Sequence, residues 1–166
     1  MSAREMEPFR ISVGLEPAFE LMQDIALPLP ALHEFLCDLH RYVPLHPFIE
    51  SIQDLAPIES LPGARVYRVL DRIPLGPFRL KMVYTAALGP VAEDEVHGHA
   101  WQDPNIRLHT VYALSKADRG TRLVERCFVD AKGLMRRFVV SQARKAHAKT
   151  LADMKVLLEE GEAVRG

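Results

Sequence analysis

The stretch Phe78-Arg79-Leu80-Lys81-Met82-Val83-Tyr84-Thr85 (FRLKMVYT, 78–85) changes character at every step. Phe78, Leu80, Met82 and Tyr84 take one parity; Arg79, Lys81, Val83 and Thr85 take the other. Side chains of a strand point alternately to opposite faces, so this is a strand with one apolar face. Immediately upstream, Leu75-Gly76-Pro77 has the chemistry of a tight turn. Closed as a hairpin, it brings Tyr67, Val69 and Ile73 onto the same face.

The period of two continues on both sides. Strands are predicted near 49–56, 64–74, 77–88, 94–102, 105–115 and 121–130. The breaks are Leu61-Pro62-Gly63, Leu75-Gly76-Pro77, Gly89-Pro90, Asp103-Pro104-Asn105 and Asp118-Arg119-Gly120. Short breaks between successive strands imply an antiparallel meander. Ile106, Leu108, Tyr112 and Leu114 share a parity, which favours Val96, Gly98 and Ala100 for the interior beside them. The patterns within 94–102 and 121–130 do not themselves fix which face points inward.

The flanks supply a strand and two helical regions. Phe19, Leu21, Ile25 and Leu27 share a parity within 15–27. After Pro28-Leu29-Pro30, Leu32, Phe35, Leu36, Leu39 and Val43 recur at helical spacing until Pro44 and Pro47 stop a short, broken helix. From Leu134 to Glu160 one helix of about 40 Å is predicted, long enough to cross a sheet. Val139, Val140, Ala143, Ala146, His147, Thr150, Leu151, Met154, Leu157 and Leu158 share one arc of it. Arg137, Arg144, Lys145, Lys149, Lys155 and Glu159 share the other. The fold class is therefore α+β: a curved antiparallel sheet of about seven strands around a long C-terminal helix.

The 166 residues suit one domain, placed at 15–160, with an N-terminal arm at 1–14 and a tail at 161–166. A net charge of −1 gives no basic surface for nucleic acid. No apolar run is long enough to span a membrane, and Met1–Phe9 lacks the apolar core of a signal peptide. Two widely spaced cysteines, Cys37 and Cys127, point to a reducing, cytoplasmic setting. A homodimer is compatible with the sequence.

Several phrases, in this order, resemble the START-like or SRPBCC superfamily, nearest its polyketide cyclase/dehydrase-type members. They are LPLPALHEFLCDLHRYVPLHPFIESI at 27–52, PGARVYRVL at 62–70, GTRLVERCFV at 120–129 and KAHAKTLADMKVLLEE at 145–160. The resemblance implies a helix-grip fold with a cavity between sheet and last helix. It carries over no catalytic motif, and such families include carriers, cyclases and interaction modules.

The expected cavity is lined by Tyr67, Val69, Phe78, Leu80, Met82, Tyr84, Leu108 and Tyr112 from the sheet. Val139, Ala143, Ala146, His147 and Thr150 line it from the helix. A typical ligand pocket of 300–1,000 Å³ suits a sterol, fatty acid or aromatic polyketide. The first reading is a binder of a hydrophobic or aromatic small molecule. The alternative is a polyketide cyclase/aromatase-type enzyme with Tyr84, Glu125 and His147 as acid–base candidates. Titratable groups converging on one spot favour chemistry; scattered ones favour holding. A second alternative is a protein- or quinone-interaction module that uses an exposed Trp101.

No cofactor is implied, because the chain has neither a phosphate loop nor a dinucleotide fingerprint. His97, His99 and His109 fall together on one sheet face and are candidate metal ligands. That face opposes the apolar one, so the expectation is a solvated outer surface with Trp101 on Arg107, and no metal site. His33, Cys37 and His40 make a weaker half-site on the first helix, where Cys37 reads better as a small buried hydrophobe.

Overall fold

Seven strands form one antiparallel sheet in the order β1-β7-β6-β5-β4-β3-β2, as seen in a computed structural model that describes residues 16–103 and 105–163. The strands are β1 Phe19–Ile25, β2 Ile49–Leu55, β3 Arg65–Leu75, β4 Phe78–Ala92, β5 Glu95–Gln102, β6 Ile106–Lys116 and β7 Thr121–Asp130. Helices α1 Leu29–Leu36 and α2 Leu39–Tyr42, with a 3₁₀ turn at Val43–Leu45, connect β1 to β2. Helix α3, Gly133–Ala163, lies along the concave face. This is the helix-grip architecture expected from the sequence. The N-terminal arm, Pro104 and the end of the tail lie outside the described residues.

The pairing register fixes the two faces. Tyr84 pairs with Val69, Ala86 with Ala100, Ala100 with Leu108, and Tyr112 with both Val96 and Glu125. Because partners in register share a face, one continuous inward face runs through Val69, Tyr84, Ala86, Ala100, Leu108, Tyr112 and Glu125. The face of β7 that the sequence left open is settled: Leu123, Glu125 and Cys127 point in. Their burial agrees, at 1% exposure or less.

Two breaks in the chain differ from the expected ones. The helix between β1 and β2 splits at Asp38, which is extended and caps α2 by accepting from the His40 amide at 3.1 Å. β4 runs on through Gly89-Pro90, which the sequence reads as a turn. A Cβ at Gly89 would lie 2.6 Å from the Ala64 Cα, so this glycine allows the loop before β3 to press on the sheet. Pro90 sits beside a register shift at the strand end, where a missing N–H is tolerated. By contrast, Gly76 does turn the chain, with φ of +59° between paired Leu75 and Phe78.

The main core joins the concave face to the helices through Leu32, Leu36, Tyr67, Val69, Val96, Leu123, Leu151 and Met154. At the other end of α3, Phe19, Ile106, Val129 and Val139 form a second cluster. Leu157 of the predicted apolar arc is 46% exposed, whereas the adjacent Leu158 packs against the main core. No described helix is long and apolar enough to cross a membrane.

The convex face corrects one expectation. Trp101, His99 and His109 are only 2%, 7% and 6% exposed. Trp101 packs with Val66 and Ala87, against Ile58, Leu61 and Ala64 from the loop that crosses Gly89. Its ring stacks on His99, with centroids 5.7 Å apart. An interaction surface built on an exposed Trp101 is therefore excluded.

Candidate functional site

Between the sheet and α3 lies a mostly apolar cavity of about 180 Å³. Met82, Tyr84, Leu88, Ala100, Leu108, Thr110 and Tyr112 line it from the sheet, with Leu36 and Leu39 from the short helices. Val139, Ala143, Ala146, His147, Thr150, Leu151 and Met154 close it from α3. The space exists because α3 presents alanines where a packed helix would present leucine. The partly exposed lining residues Phe48, Gln102, Phe138 and Gln142 stand where it meets solvent.

Four of the sheet residues expected in the lining lie elsewhere. Tyr67 and Val69 are fully buried, packed beneath α1 and α2 rather than facing the space. The Tyr67 hydroxyl accepts from the Leu39 amide at 3.4 Å and donates to Asp38 at 3.5 Å. Phe78 and Leu80 have the right parity, but they are 74% and 39% exposed at the β3–β4 hairpin. Parity gives a residue's face and says nothing about how far the covering helix reaches.

Four titratable side chains converge inside. Glu125, in the middle of β7, is 1% exposed. Its carboxylate pairs with Nδ1 of His147 on α3. Burial opposes the imidazolium; the Glu125 charge and hydrogen bond, with help from Asp71, outweigh it and raise the His147 pKa. With Nδ1 held by Glu125, Nε2 is left to meet a ligand.

Asp71 is the second acid. It sits on β3 between Val69 and Ile73, on the inward face, and is 6% exposed. Burial raises its pKa to about 6, against a hydrogen bond from the Tyr84 hydroxyl at 3.4 Å and the His147 charge. His46, at the end of the 3₁₀ turn, completes the group, with its ring centroid 6.2 Å from that of His147. Burial first, and then the His147 charge, lower the His46 pKa to about 3. His46 is thus neutral, and its Nδ1 accepts from the Phe48 amide at 3.4 Å.

The three sequence candidates Tyr84, Glu125 and His147 all line this cavity. Asp71 and His46 were missed. The signal for Asp71 was a lone carboxylate in an apolar parity, between Val69 and Ile73. For His46 it was an imidazole in a turn pinned by Pro44 and Pro47. The half-site on the first helices does not assemble. His33 Nε2 bonds the Ala92 carbonyl at 2.9 Å, while His40 pairs with Asp54 at 3.1 Å. Cys37 is half-buried, and burial raises its thiol pKa.

No family model matches the sequence, and no curated protein matches it. Solved structures do match. The di-domain aromatase/cyclase StfQ of the steffimycin biosynthetic pathway superposes with a TM-score of 0.68 at 12% identity. That match covers 87% of this chain and 51% of StfQ, so the chain spans about half that protein's length. A START superfamily protein from Mycobacterium smegmatis gives 0.62 at 16% identity, covering 84% and 97% of the two chains. The Zhui aromatase/cyclase from Streptomyces sp. R1128 gives 0.59 at 16%, covering 87% and 92%. The chain has the START-like helix-grip fold.

Proposed function

We propose that this protein binds a small, mostly apolar ring compound bearing a carbonyl and performs general acid–base chemistry on it. The observation that carries the reading is the meeting of Glu125–His147 and Asp71–Tyr84 in one apolar cavity. Isolated charges are rare in such places, and groups with displaced pKa values that share a pocket are the usual mark of a reactive site. The likeness in fold to aromatase/cyclases supports the choice of chemistry.

The roles follow from the protonation states. His147, held charged by Glu125, donates a proton from Nε2 to a carbonyl oxygen. Asp71, with a pKa of about 6, is mostly ionised at pH 7 and accepts a proton from the carbon next to the carbonyl. The released electron pair forms an enol, which can close a ring onto a second carbonyl or expel a hydroxyl as water. Tyr84 orients Asp71, and neutral His46 contributes a ring N–H. The cavity volume limits the substrate. At about 180 Å³ it is smaller than the range that suits a sterol or long lipid and little larger than the roughly 150 Å³ that holds benzene. One or two rings fit, with any tail leaving past Phe48 and Phe138.

The test is deuterium exchange at the α-carbon of 2-tetralone in heavy water, followed by proton NMR. The chain should accelerate exchange, and His147→Gln or Asp71→Asn should remove most of the acceleration. Binding of the ketone without acceleration would leave a holding protein, the reading favoured by the predominantly apolar lining. A reducing, cytoplasmic setting goes with either reading, on the strength of the two free thiols.

A further inference from the structure

Three imidazoles meet on the convex face, on the side of the sheet opposite α3; of the three, His99 also borders the cavity. His97 and His99 lie on β5, two residues apart and so on one face, and His109 pairs in register with His99 from β6. One nitrogen from each lies within 4.8 Å of the others. His109 Nε2 is 3.0 Å from His97 Nδ1, and the His99 and His109 rings stack with centroids 4.2 Å apart. The neighbours across β4 are small: Gly89 pairs with His97, and Ala87 with His99.

Two further observations point to a ligand at this position. His99 is 7% exposed, and its Nδ1 makes no hydrogen bond among the described residues. Buried polar nitrogens are nearly always satisfied, so an orphan beside two other imidazoles calls for a partner, and a metal ion accepts the lone pair that a ring nitrogen offers. The second is Glu95. Its Oε1 lies 2.7 Å from His97 Nε2. A carboxylate on the far nitrogen holds the ring proton there and leaves the Nδ1 lone pair facing His109. Carboxylates stand behind metal-bound histidines in this way.

We propose that His97, His99 and His109 bind a divalent transition-metal ion of the zinc class, with Glu95 orienting His97 and the fourth position open. This site is independent of the cavity chemistry. Imidazole ligands suit zinc, cobalt, nickel and copper and do not suit calcium or magnesium. Zn–N bonds of 2.0–2.1 Å put tetrahedral nitrogens about 3.4 Å apart. The His97–His109 pair is already near that spacing, and side-chain rotation closes His99 onto the same point. The bound ion would tie β5 to β6. It would enter past His97, the partly exposed member of the three.

The experiment uses the full chain stripped with a chelator, then titrated separately with zinc(II) and cobalt(II). Native mass spectrometry should show one ion per chain, and cobalt should give the visible absorption of a four-coordinate site. Zinc should raise the unfolding temperature. His99→Phe and His109→Phe should each abolish the cobalt spectrum, and Glu95→Gln should weaken binding about 10–100-fold. If a buried substitution prevents folding, His97→Gln supplies the same test from the exposed side. No retained ion and no cobalt absorption would overturn the proposal. So would binding that persists unchanged in His99→Phe or His97→Gln.

Discussion

The cavity and the convex face each bring a carboxylate and imidazoles together, to opposite effect. In the cavity, His147 lies between two acids, Glu125 and Asp71, and its pKa is raised. Behind the sheet, His99 lies beside two imidazoles; burial, then His109 and His97, lower its pKa to about 3. Burial alone would discharge both rings. What separates them is the sign of the neighbours: a ring flanked by carboxylates becomes a proton donor, and a ring flanked by rings becomes a lone-pair donor. On our proposals, the same residue type serves proton transfer on one side of the sheet and metal binding on the other.

The sharpest way to break this contrast is to remove the charged ring. His147→Gln should cut the α-exchange rate by about 10²–10⁴, the usual worth of a positioned acid or base, and leave ketone affinity within a few-fold. Steady-state exchange kinetics beside calorimetry separate the two effects. An equal loss of affinity would make His147 a binding residue.

The next largest effect is on stability. Glu125→Ala removes the partner that keeps the His147 ring charged, and breaking one side of a buried pair costs about 3–5 kcal/mol. The sign of the pH dependence follows from His147. Its raised pKa adds stability that is complete below its ordinary pKa of 6.5 and is lost as pH rises through the folded value. Urea unfolding should therefore show a larger gap between wild type and variant at pH 6 than at alkaline pH. A gap independent of pH would mean that His147 is neutral in the folded chain.

Much of this was legible in the residues, and the parts that were not have a common cause. The alternation of FRLKMVYT placed β4 and its inner face, and the α3 arc placed Ala143, Ala146, His147 and Thr150 on the cavity. Strand parity is local and strong, so it survives into the fold. Whatever depends on a distant covering segment was not readable. Phe78 has the correct parity, yet α3 does not reach it. Trp101 has the outer parity, yet residues 58–64 bury it. Asp71 was missed although it is a lone acid in an apolar parity, because its meaning required His147 from a helix some 75 positions away.

Asp71→Asn reverses the sign of the stability effect within the same cavity. Burial raises the Asp71 pKa from 3.8 to about 6, so the folded chain holds this proton more tightly than the unfolded one. Stability then falls as pH climbs from about 4 to 6 and levels off above, a loss of about 3 kcal/mol at pH 7. Asparagine cannot ionise and keeps an oxygen for the Tyr84 hydroxyl. The variant should match wild type near pH 4 and exceed it by up to that amount at pH 7, while losing α-exchange. A gain at pH 7 together with a lost rate is the combination expected of a residue retained for chemistry.

The smallest effects compare two small residues that face different things. Ala146, on α3, faces the cavity; Gly89, on β4, faces the backbone of Ala64. Ala146→Leu adds carbon to the cavity, so the unfolding free energy should hold within about 1 kcal/mol while ketone affinity falls at least tenfold. Gly89→Ala has nowhere to put one methyl. It should cost about 1–3 kcal/mol as the loop over Trp101 lifts, seen as a red shift in the fluorescence of this single tryptophan. A large loss of stability in Ala146→Leu would show the concave side to be packed solid, and the case for a ligand there would go with it. A neutral Gly89→Ala would show that the loop yields easily, so that it does not set the burial of Trp101 and His99.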